Sequence, residues 1–280
     1  MKALKKRWKI WLAAGVVLAA LAVWALWTGL TVRTYTLETA KLTQPVRLLL
    51  LTDLHSTIHG SEQQPLINLV WAHAPDAILL AGDIADDEVP HRGTELLLEA
   101  VAGEYPCFYV TGNHEFWAED TAEILALLRR HGVTVLAGTW SDLTVRGQTL
   151  RLFGVDDPEV DKTAPGAPGA WLTQWEVCRA GLEEGTFSIL LSHRPELTDL
   201  YRSSGFDLIV SGHAHGGQVR IPLLLNGLYA PNQGFFPRYA GGLYDLDGTS
   251  LVVSRGLSIS RLPRVFNPPE VVVIDLLPGA

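Results

Sequence analysis

The sequence predicts an α/β fold: two β-sheets packed on each other and flanked by helices, an α-β-β-α sandwich in four layers, preceded by one apolar N-terminal helix. Three observations predict it. Apolar runs of strand length alternate with segments of helical periodicity, most runs end in a polar turn, and shorter strand-like runs continue after Val133, enough for a second sheet. The 280 residues are enough for a single large folded domain.

Residues 1–31 stand apart. Lys2, Lys5, Lys6, Arg7 and Lys9 precede an uncharged stretch over 10–30, and about 20 apolar residues suffice to cross a bilayer as a helix. Trp8, Trp11, Trp24 and Trp27 lie towards its two ends, where indole rings favour the headgroup region. A cleaved signal peptide is the rival reading, with Ala20, Ala22 and Ala25 as small residues near a cut, but the run exceeds the roughly 7–15 residues of a signal core. The basic excess before the helix, against only Arg33, Lys41 and Arg47 soon after it, predicts a cytoplasmic N-terminus. The expectation is a single-pass cell-membrane anchor over 1–31, with a domain over 32–280 on the outer face.

Residues 46–52, 77–81 and 107–111 are continuous apolar runs that read as buried strands, separated by helical spacing over 62–74, 93–102 and 119–131. Gly147-Gln148 between 144–146 and 150–155 reads as a hairpin turn. Residues 156–169, rich in Pro, Gly and Asp, read as an exposed loop before a helix over 171–182. Runs over 187–191, 208–210, 251–254 and 271–276 complete the strands. Cys107 and Cys178 are too few for a disulfide framework and are expected as buried thiols.

Without the basic tip, 17 basic residues face 30 acidic ones, a formal charge of −13. Such a surface repels phosphate backbones and excludes nucleic acid as partner.

The chemistry lies where the strand-like runs end. Asp53-Leu54-His55, Gly82-Asp83, Gly112-Asn113-His114-Glu115, His193 and Gly212-His213-Ala214-His215 form an ordered series of oxygen and nitrogen donors. That donor set suits Mn, Fe or Zn, and the lack of Cys argues against a structural zinc site. Asp53 and His55 alone are a weak pair; five such signals in order point to two metal ions. Asp83, after a glycine that lets backbone approach closely, is placed to bridge two cations. His193 alone would more often be structural than a ligand. Glu115 is expected to cap a helix rather than to orient His114. His59, His73, His91 and His131 fall outside the motifs and are expected to be solvent-facing or locally bonded. Arg194, Arg238, Arg255, Arg261 and Arg264 could clamp a phosphate bidentately, but ordinary surface pairing explains any one of them equally well.

On these motifs the chain resembles the calcineurin-like metallophosphoesterases from residue 46 to 276. The run from Gly212 to Gln218, Asn267-Pro268-Pro269-Glu270 and the anchor look most similar to a membrane-anchored branch, some of whose members hydrolyse UDP-diacylglucosamine. The resemblance implies a fold of the metallophosphoesterase type and two divalent ions. Asp53, His55 and His215 would hold one ion, Asn113, His193 and His213 the other, and Asp83 would bridge them. His114 would not ligate but would contact phosphate or protonate the leaving oxygen.

The implied function is hydrolysis of a phosphodiester or pyrophosphate bond by a two-metal-activated hydroxide. The expected substrate is lipid- or envelope-related, such as UDP-diacylglucosamine. A phosphodiesterase or phosphatase on soluble substrates and a non-catalytic membrane scaffold are the alternatives. Ser258 stands where relatives often carry Gly, a departure that bears on loop shape and substrate fit rather than on metal binding. Residues 221–244 are apolar for a loop, and Leu223, Leu224, Leu225, Phe235 and Phe236 either face acyl chains or a membrane surface, or pack beneath the sheet. Nothing in the sequence specifies an oligomeric state.

Overall fold

The structure, a computed structural model, describes residues 2–163, 168–259 and 262–279. Its first half runs α1 (Lys2–Ala25), β1 (Thr31–Thr39), β2 (Val46–Leu51), α2 (Gln64–His73), β3 (Ala77–Ala81), α3 (Arg92–Val101), β4 (Cys107–Val110), α4 (Asn113–Trp117), α5 (Thr121–Arg130) and β5 (Thr134–Val135). The second continues with β6 (Thr139–Val145), β7 (Gln148–Gly154), α6 (Val160–Thr163), α7 (Ala170–Ala180), β8 (Phe187–Leu191), α8 (Thr198–Tyr201) and β9 (Leu208–Ser211). A 3-10 turn (His215–Gly217), β10 (Tyr229–Ala230), β11 (Gly234–Phe235), β12 (Gly242–Leu246), β13 (Thr249–Val253) and β14 (Glu270–Pro278) complete the described chain.

Two six-stranded sheets form, in the orders β1-β14-β2-β3-β4-β5 and β12-β13-β9-β8-β7-β6. Strands β2 to β5 are mutually parallel, as are β7, β8, β9 and β13, so in each sheet these strands end on one rim. Successive side chains point to opposite faces, and here both faces are covered, which explains the unbroken apolar runs. Leu48, Leu50, Leu79 and Val110 meet Leu152, Ile189, Leu191 and Val210 between the sheets. Leu49, Leu51, Ile78 and Leu80 pack outward against Leu66 and Val70 of α2, Leu97 and Val101 of α3, and Ile124 and Leu128 of α5. Phe153, Leu190 and Ile209 pack against Trp171, Trp175 and Cys178 of α7. Three apolar layers therefore separate four layers of secondary structure, and each fully buried Leu or Ile adds about 1.5–3 kcal/mol of transfer free energy.

The elements depart from the sequence reading in four places. Strand β1 escapes periodicity analysis because TVRTYTLET is an edge strand with half-exposed alternating positions, paired in parallel with β14. The expected helix over 119–131 begins at Thr121, and a separate α4 precedes it; Ala118 is extended, and Thr121 Oγ1 donates to the Glu115 carbonyl at 2.6 Å. The loop expected over 156–169 contains the short α6, while its residues 164–167 lie outside the described residues. Finally, α1 stops at Ala25, short of the apolar stretch's end at Leu30, and Thr31 already donates its N–H to Pro269 O at 2.9 Å.

The segment Arg7–Ala25 is 19 residues long and apolar enough to cross a membrane. Trp8, Trp11, Val16, Leu18 and Val23 on it are all exposed. Cys107 and Cys178 are free and buried, and burial pushes each thiol up to about 12.

Candidate metal centre

Strand geometry sets the positions of the donors. Asp53, Asp83, His193 and His213 each stand two residues beyond the last residue of β2, β3, β8 and β9, and Asn113 opens α4 just past β4. The segments after the strands stay bonded to one another: Asp53 N–H donates to Gly82 O at 3.0 Å, His55 N–H to Asp83 O at 3.0 Å, Gly212 N–H to His193 O at 3.1 Å and Ser258 N–H to Asp53 O at 2.7 Å. The donor-bearing turns are thus tied into one rim. Asp53, His55, Asp83, His213 and His215 all adopt left-handed backbone conformations, with φ between 46° and 64°. Such conformations cost roughly 1–2 kcal/mol for each non-glycine residue and cluster at functional sites.

Three donor groups result. Asp53, His55, Asp83 and His215 form the first, Asp83, His193 and His213 the second, and His55, Asp86 and His114 a third at the edge of the first, with ligand atoms in each group within 4.8 Å of one another. Asp83 belongs to the first two. Its Oδ2 lies 3.6 Å from His55 Nε2 and 3.1 Å from His193 Nε2, while its Oδ1 accepts the His114 N–H at 2.9 Å. Asp53 is held in the same way, with Oδ1 accepting the His213 N–H at 2.8 Å and lying 3.6 Å from His215 Nε2. Each carboxylate is pinned by one oxygen and presents the other.

The imidazoles are oriented from behind. His55 Nδ1 lies 2.8 Å from Asp86 Oδ2, and His193 Nδ1 lies 2.8 Å from the Ala81 carbonyl. With Nδ1–H donated, each ring offers the Nε2 lone pair, an arrangement characteristic of metal-ligating histidines. His213 is reversed: Nε2 lies 2.9 Å from Asn232 Oδ1, so Nδ1 is the nitrogen left for a cation.

A buried polar atom without a partner is costly, and four candidate ligands carry one. Asp53 Oδ2, His55 Nε2, Asn113 Oδ1 and His193 Nε2 are buried without a hydrogen-bond partner. Divalent cations would satisfy all four at once, so the residues present fit the metals that the donor set calls for. Backbone crowding supports the same cradle. A Cβ on Gly112 would collide with the Asp83 carboxylate, and one on Gly212 with Asp53 Oδ2, so neither position admits a side chain.

Electrostatics follow the geometry. Burial disfavours the His193 cation, but Asp83 and Asp53 outweigh it and raise His193 to about 10. Burial, then the charges of His193 and Arg194, lowers His213 to about 3. A divalent cation held by Asp83 and His193 would take the place of the His193 proton.

His114 lies beside the two groups that share Asp83, with a different set of contacts. Its Nδ1 is 2.6 Å from Asp87 Oδ1, and its ring stands edge-on to His55 at 4.3 Å. A cleft of about 330 Å³ opens here, lined by His55, Asp86, His114, His215, Ile259 and Leu262 among others. Glu115 caps α4 by accepting the Gly112 N–H at 2.7 Å. It also accepts the N–H groups of Asp83, Ile84 and Ala85, at 3.0, 2.8 and 3.1 Å, and so holds the Asp83 turn.

Several residues differ from the sequence reading. Arg194, Arg255 and Arg264 are buried rather than in surface pairs. Arg194 grips Asp157 with two hydrogen bonds and places Nη1 3.1 Å from His213 Nε2; Arg264 lies 3.5 Å from His215 Nδ1. Arg238 is exposed, over the Tyr239 ring, and Arg261 lies outside the described residues. His59 is buried with Nε2 2.9 Å from the Leu257 carbonyl, outside the three donor groups. Ser258 bears on more than loop shape and substrate fit, because its Oγ lies 3.3 Å from Nδ1 of the candidate ligand His215. Asp86 and Asp87 went unread although they follow Asp83 by three and four residues. Leu223, Leu224, Phe235 and Phe236 are exposed and do not pack beneath the sheet.

A four-layer sandwich whose rim gathers Asp and His clusters, two of them sharing Asp83, defines a candidate metal-site architecture. The calcineurin-like phosphoesterase family model matches residues 46–217, and the chain belongs to that family. An uncharacterized metallophosphoesterase of Campylobacter jejuni is 32% identical over 251 residues, 88% of this chain and 63% of the relative, so the chain spans under two thirds of that protein. Phosphodiesterase YaeI of Escherichia coli is 28% identical, with 83% of each chain covered. Among solved structures, the NAD nucleotidase NadN of Haemophilus influenzae shares the fold, with a TM-score of 0.51 at 18% identity over 76% of this chain and 45% of that one.

Proposed function

We propose that this chain hydrolyses phosphodiester or pyrophosphate bonds with two divalent ions, Mn, Fe or Zn. Asp53, His55 and His215 hold one, Asn113, His193 and His213 the other, and Asp83 serves both. The observation that carries this reading is Asp83 Oδ2 lying between His55 Nε2 and His193 Nε2, one nitrogen from each of the two donor groups that share Asp83. Divalent ions held there supply Lewis-acid activation of water and neutralise charge on a phosphoryl group. The name of the E. coli relative supports a diester as the bond broken.

His114 acts on the leaving group. Asp87 accepts the Nδ1–H hydrogen bond, which fixes the ring and leaves Nε2 to deliver the proton to the departing oxygen. His114→Ala is expected to slow cleavage of an alkyl diester by about 10²–10⁴-fold. Bis-p-nitrophenyl phosphate should lose less than about tenfold, because p-nitrophenolate departs without a proton. Steady-state rates on the two substrates in Mn-loaded enzyme decide this. Equal losses on both would assign His114 to phosphate binding instead.

The substrate carries a lipid. Exposed Ile259 and Leu262 stand at the lip of the metal cleft, an apolar rim suited to acyl chains rather than to a soluble phosphate ester. Ile259→Ser with Leu262→Ser is expected to lower kcat/KM on a diacylated phosphodiester in nanodiscs by at least about tenfold, the worth of one lost apolar contact. Turnover of bis-p-nitrophenyl phosphate should hold; parallel loss on both substrates would count against the lipid. Helix α1 anchors the domain over 32–280 to the cell membrane in a single pass, with its basic tip in the cytoplasm. On the outer face the domain meets envelope phosphodiesters, whereas UDP-diacylglucosamine requires the opposite orientation. Chelator-insensitive absence of turnover on every diester would favour a non-catalytic scaffold.

A further inference from the structure

Where α1 meets the domain, a second cleft has no part in the metal chemistry. The Phe266 N–H donates to the carbonyl of Ala25, the last residue of α1, at 2.7 Å, and the Trp24 and Phe266 rings meet edge-on at 4.9 Å. Phe266 also lines a cleft of about 390 Å³ together with Arg33, Arg220, Arg255, Leu223 and Leu224. The cleft therefore opens next to the end of the helix that crosses the membrane.

Its charge is unbalanced. Arg255 is neutralised by Glu270, which accepts both its backbone N–H and its guanidinium. Arg33 is exposed and makes no ion pair among the described residues. Arg220 donates one N–H to Asn226 Oδ1, but its Nη1 is buried without a partner. Burial and the neighbouring Arg255 push the Arg220 guanidinium below its ordinary range, a strain that an anion would relieve.

Beside these cations the chain exposes apolar side chains by design of its backbone. Ile221 and Leu225 close a turn through hydrogen bonds of 3.0 and 2.8 Å, and Leu223 at its tip takes a left-handed φ of 67°. The result is full exposure of Leu223 (105%) and near-full exposure of Leu224 (85%). A strained leucine turned outward next to unpaired arginines, at the foot of a membrane span, matches a bilayer interface in both layers: acyl chains for the leucines, phosphate for the arginines.

We infer that this surface docks on the membrane, with the phosphate of an anionic lipid headgroup between Arg33 and Arg220 and Leu223 and Leu224 inserted among the acyl chains. The inference rests on α1 being a membrane span and is independent of the metal assignment. Docking would hold the domain in one pose. Residues 259 to 266 join the rim of the metal cleft to Phe266, so the cleft opens within about 25 Å of the helix end, the reach of seven extended residues.

The test uses the full chain in nanodiscs of phosphatidylcholine, with or without phosphatidylglycerol. An environment-sensitive fluorophore is attached through Leu224→Cys, the native cysteines being buried. Blue-shifted emission, quenched by spin-labelled lipid and specific to phosphatidylglycerol, is the expected result. In Arg33→Gln/Arg220→Gln the docked fraction should fall by roughly fivefold for each arginine removed. Bis-p-nitrophenyl phosphate turnover of that variant in detergent should be unchanged, which separates this surface from the metal centre. Identical emission in both nanodiscs, or a shift that survives the double substitution, would overturn the inference. Reversal of the shift by millimolar inorganic phosphate would also overturn it, assigning the arginines to a free anion. Failure to reconstitute in either disc would overturn both this inference and the anchor.

Discussion

Asp83→Ala is expected to lower bis-p-nitrophenyl phosphate turnover by at least about 10³-fold in Mn-loaded enzyme. Bound metal should fall from two ions per chain to one or none. The reason is that one oxygen faces both donor groups that contain Asp83, at 3.6 Å from His55 Nε2 and 3.1 Å from His193 Nε2, so its removal weakens two sites rather than one. The second oxygen accepts the His114 N–H, so the turn that opens α4 loosens as well. Metal analysis beside the rate measurement gives the effect its cause. His114→Ala should retain both ions while slowing poor leaving groups, whereas Asp83→Ala loses ions and rate together. A variant that keeps two ions and near-native turnover would end the shared-aspartate arrangement.

Arg194→Ala carries the largest expected loss of stability, about 3–5 kcal/mol by urea unfolding, because it leaves a buried carboxylate without its partner. Asp157 is fully buried and is gripped by Arg194 Nε and Nη2 at 2.5 and 2.8 Å. Replacing both partners, as Arg194→Met with Asp157→Leu, should recover most of that loss, since apolar groups of similar volume need no counter-charge. Metal affinity should not recover with it. Arg194 also donates to Asn232 Oδ1 at 2.6 Å, and Asn232 in turn holds His213 Nε2, so the double variant should bind metal about 10–100-fold more weakly. A stability change below about 1 kcal/mol in Arg194→Ala would show that Asp157 finds solvent or another donor.

The donor series was legible because strand exits punctuate the sequence. Apolar runs at 77–81 and 187–191 end at residues whose side chains are polar and metal-competent, and a reader can see Asp83 and His193 there. Their orientation was not legible. His55 depends on Asp86, His193 on the Ala81 carbonyl and His213 on Asn232. These partners lie up to 112 residues away in sequence, with no fixed spacing. Arg194 shows the limit most plainly: adjacent to a recognised histidine, it reads as a surface cation until its long-range partners are seen. Strand β1 was missed for a different reason, since an edge strand covered on one side only has no unbroken apolar run to mark it.

Local patterning was sufficient to declare the layered α/β architecture, the donor side chains at the strand exits and their order, and an apolar helix ahead of the domain. Those properties depend on neighbours within a few residues: period-two or helical burial, turn glycines, and the donor atoms a side chain carries. Which nitrogen each imidazole presents, which distant group orients it, and which arginines lack a carboxylate beside the helix end emerged only from the packed sheets. Long-range packing decides such matters, because parallel strands far apart in the chain deliver their ends to one rim and the contacts across that rim leave no trace in local spacing.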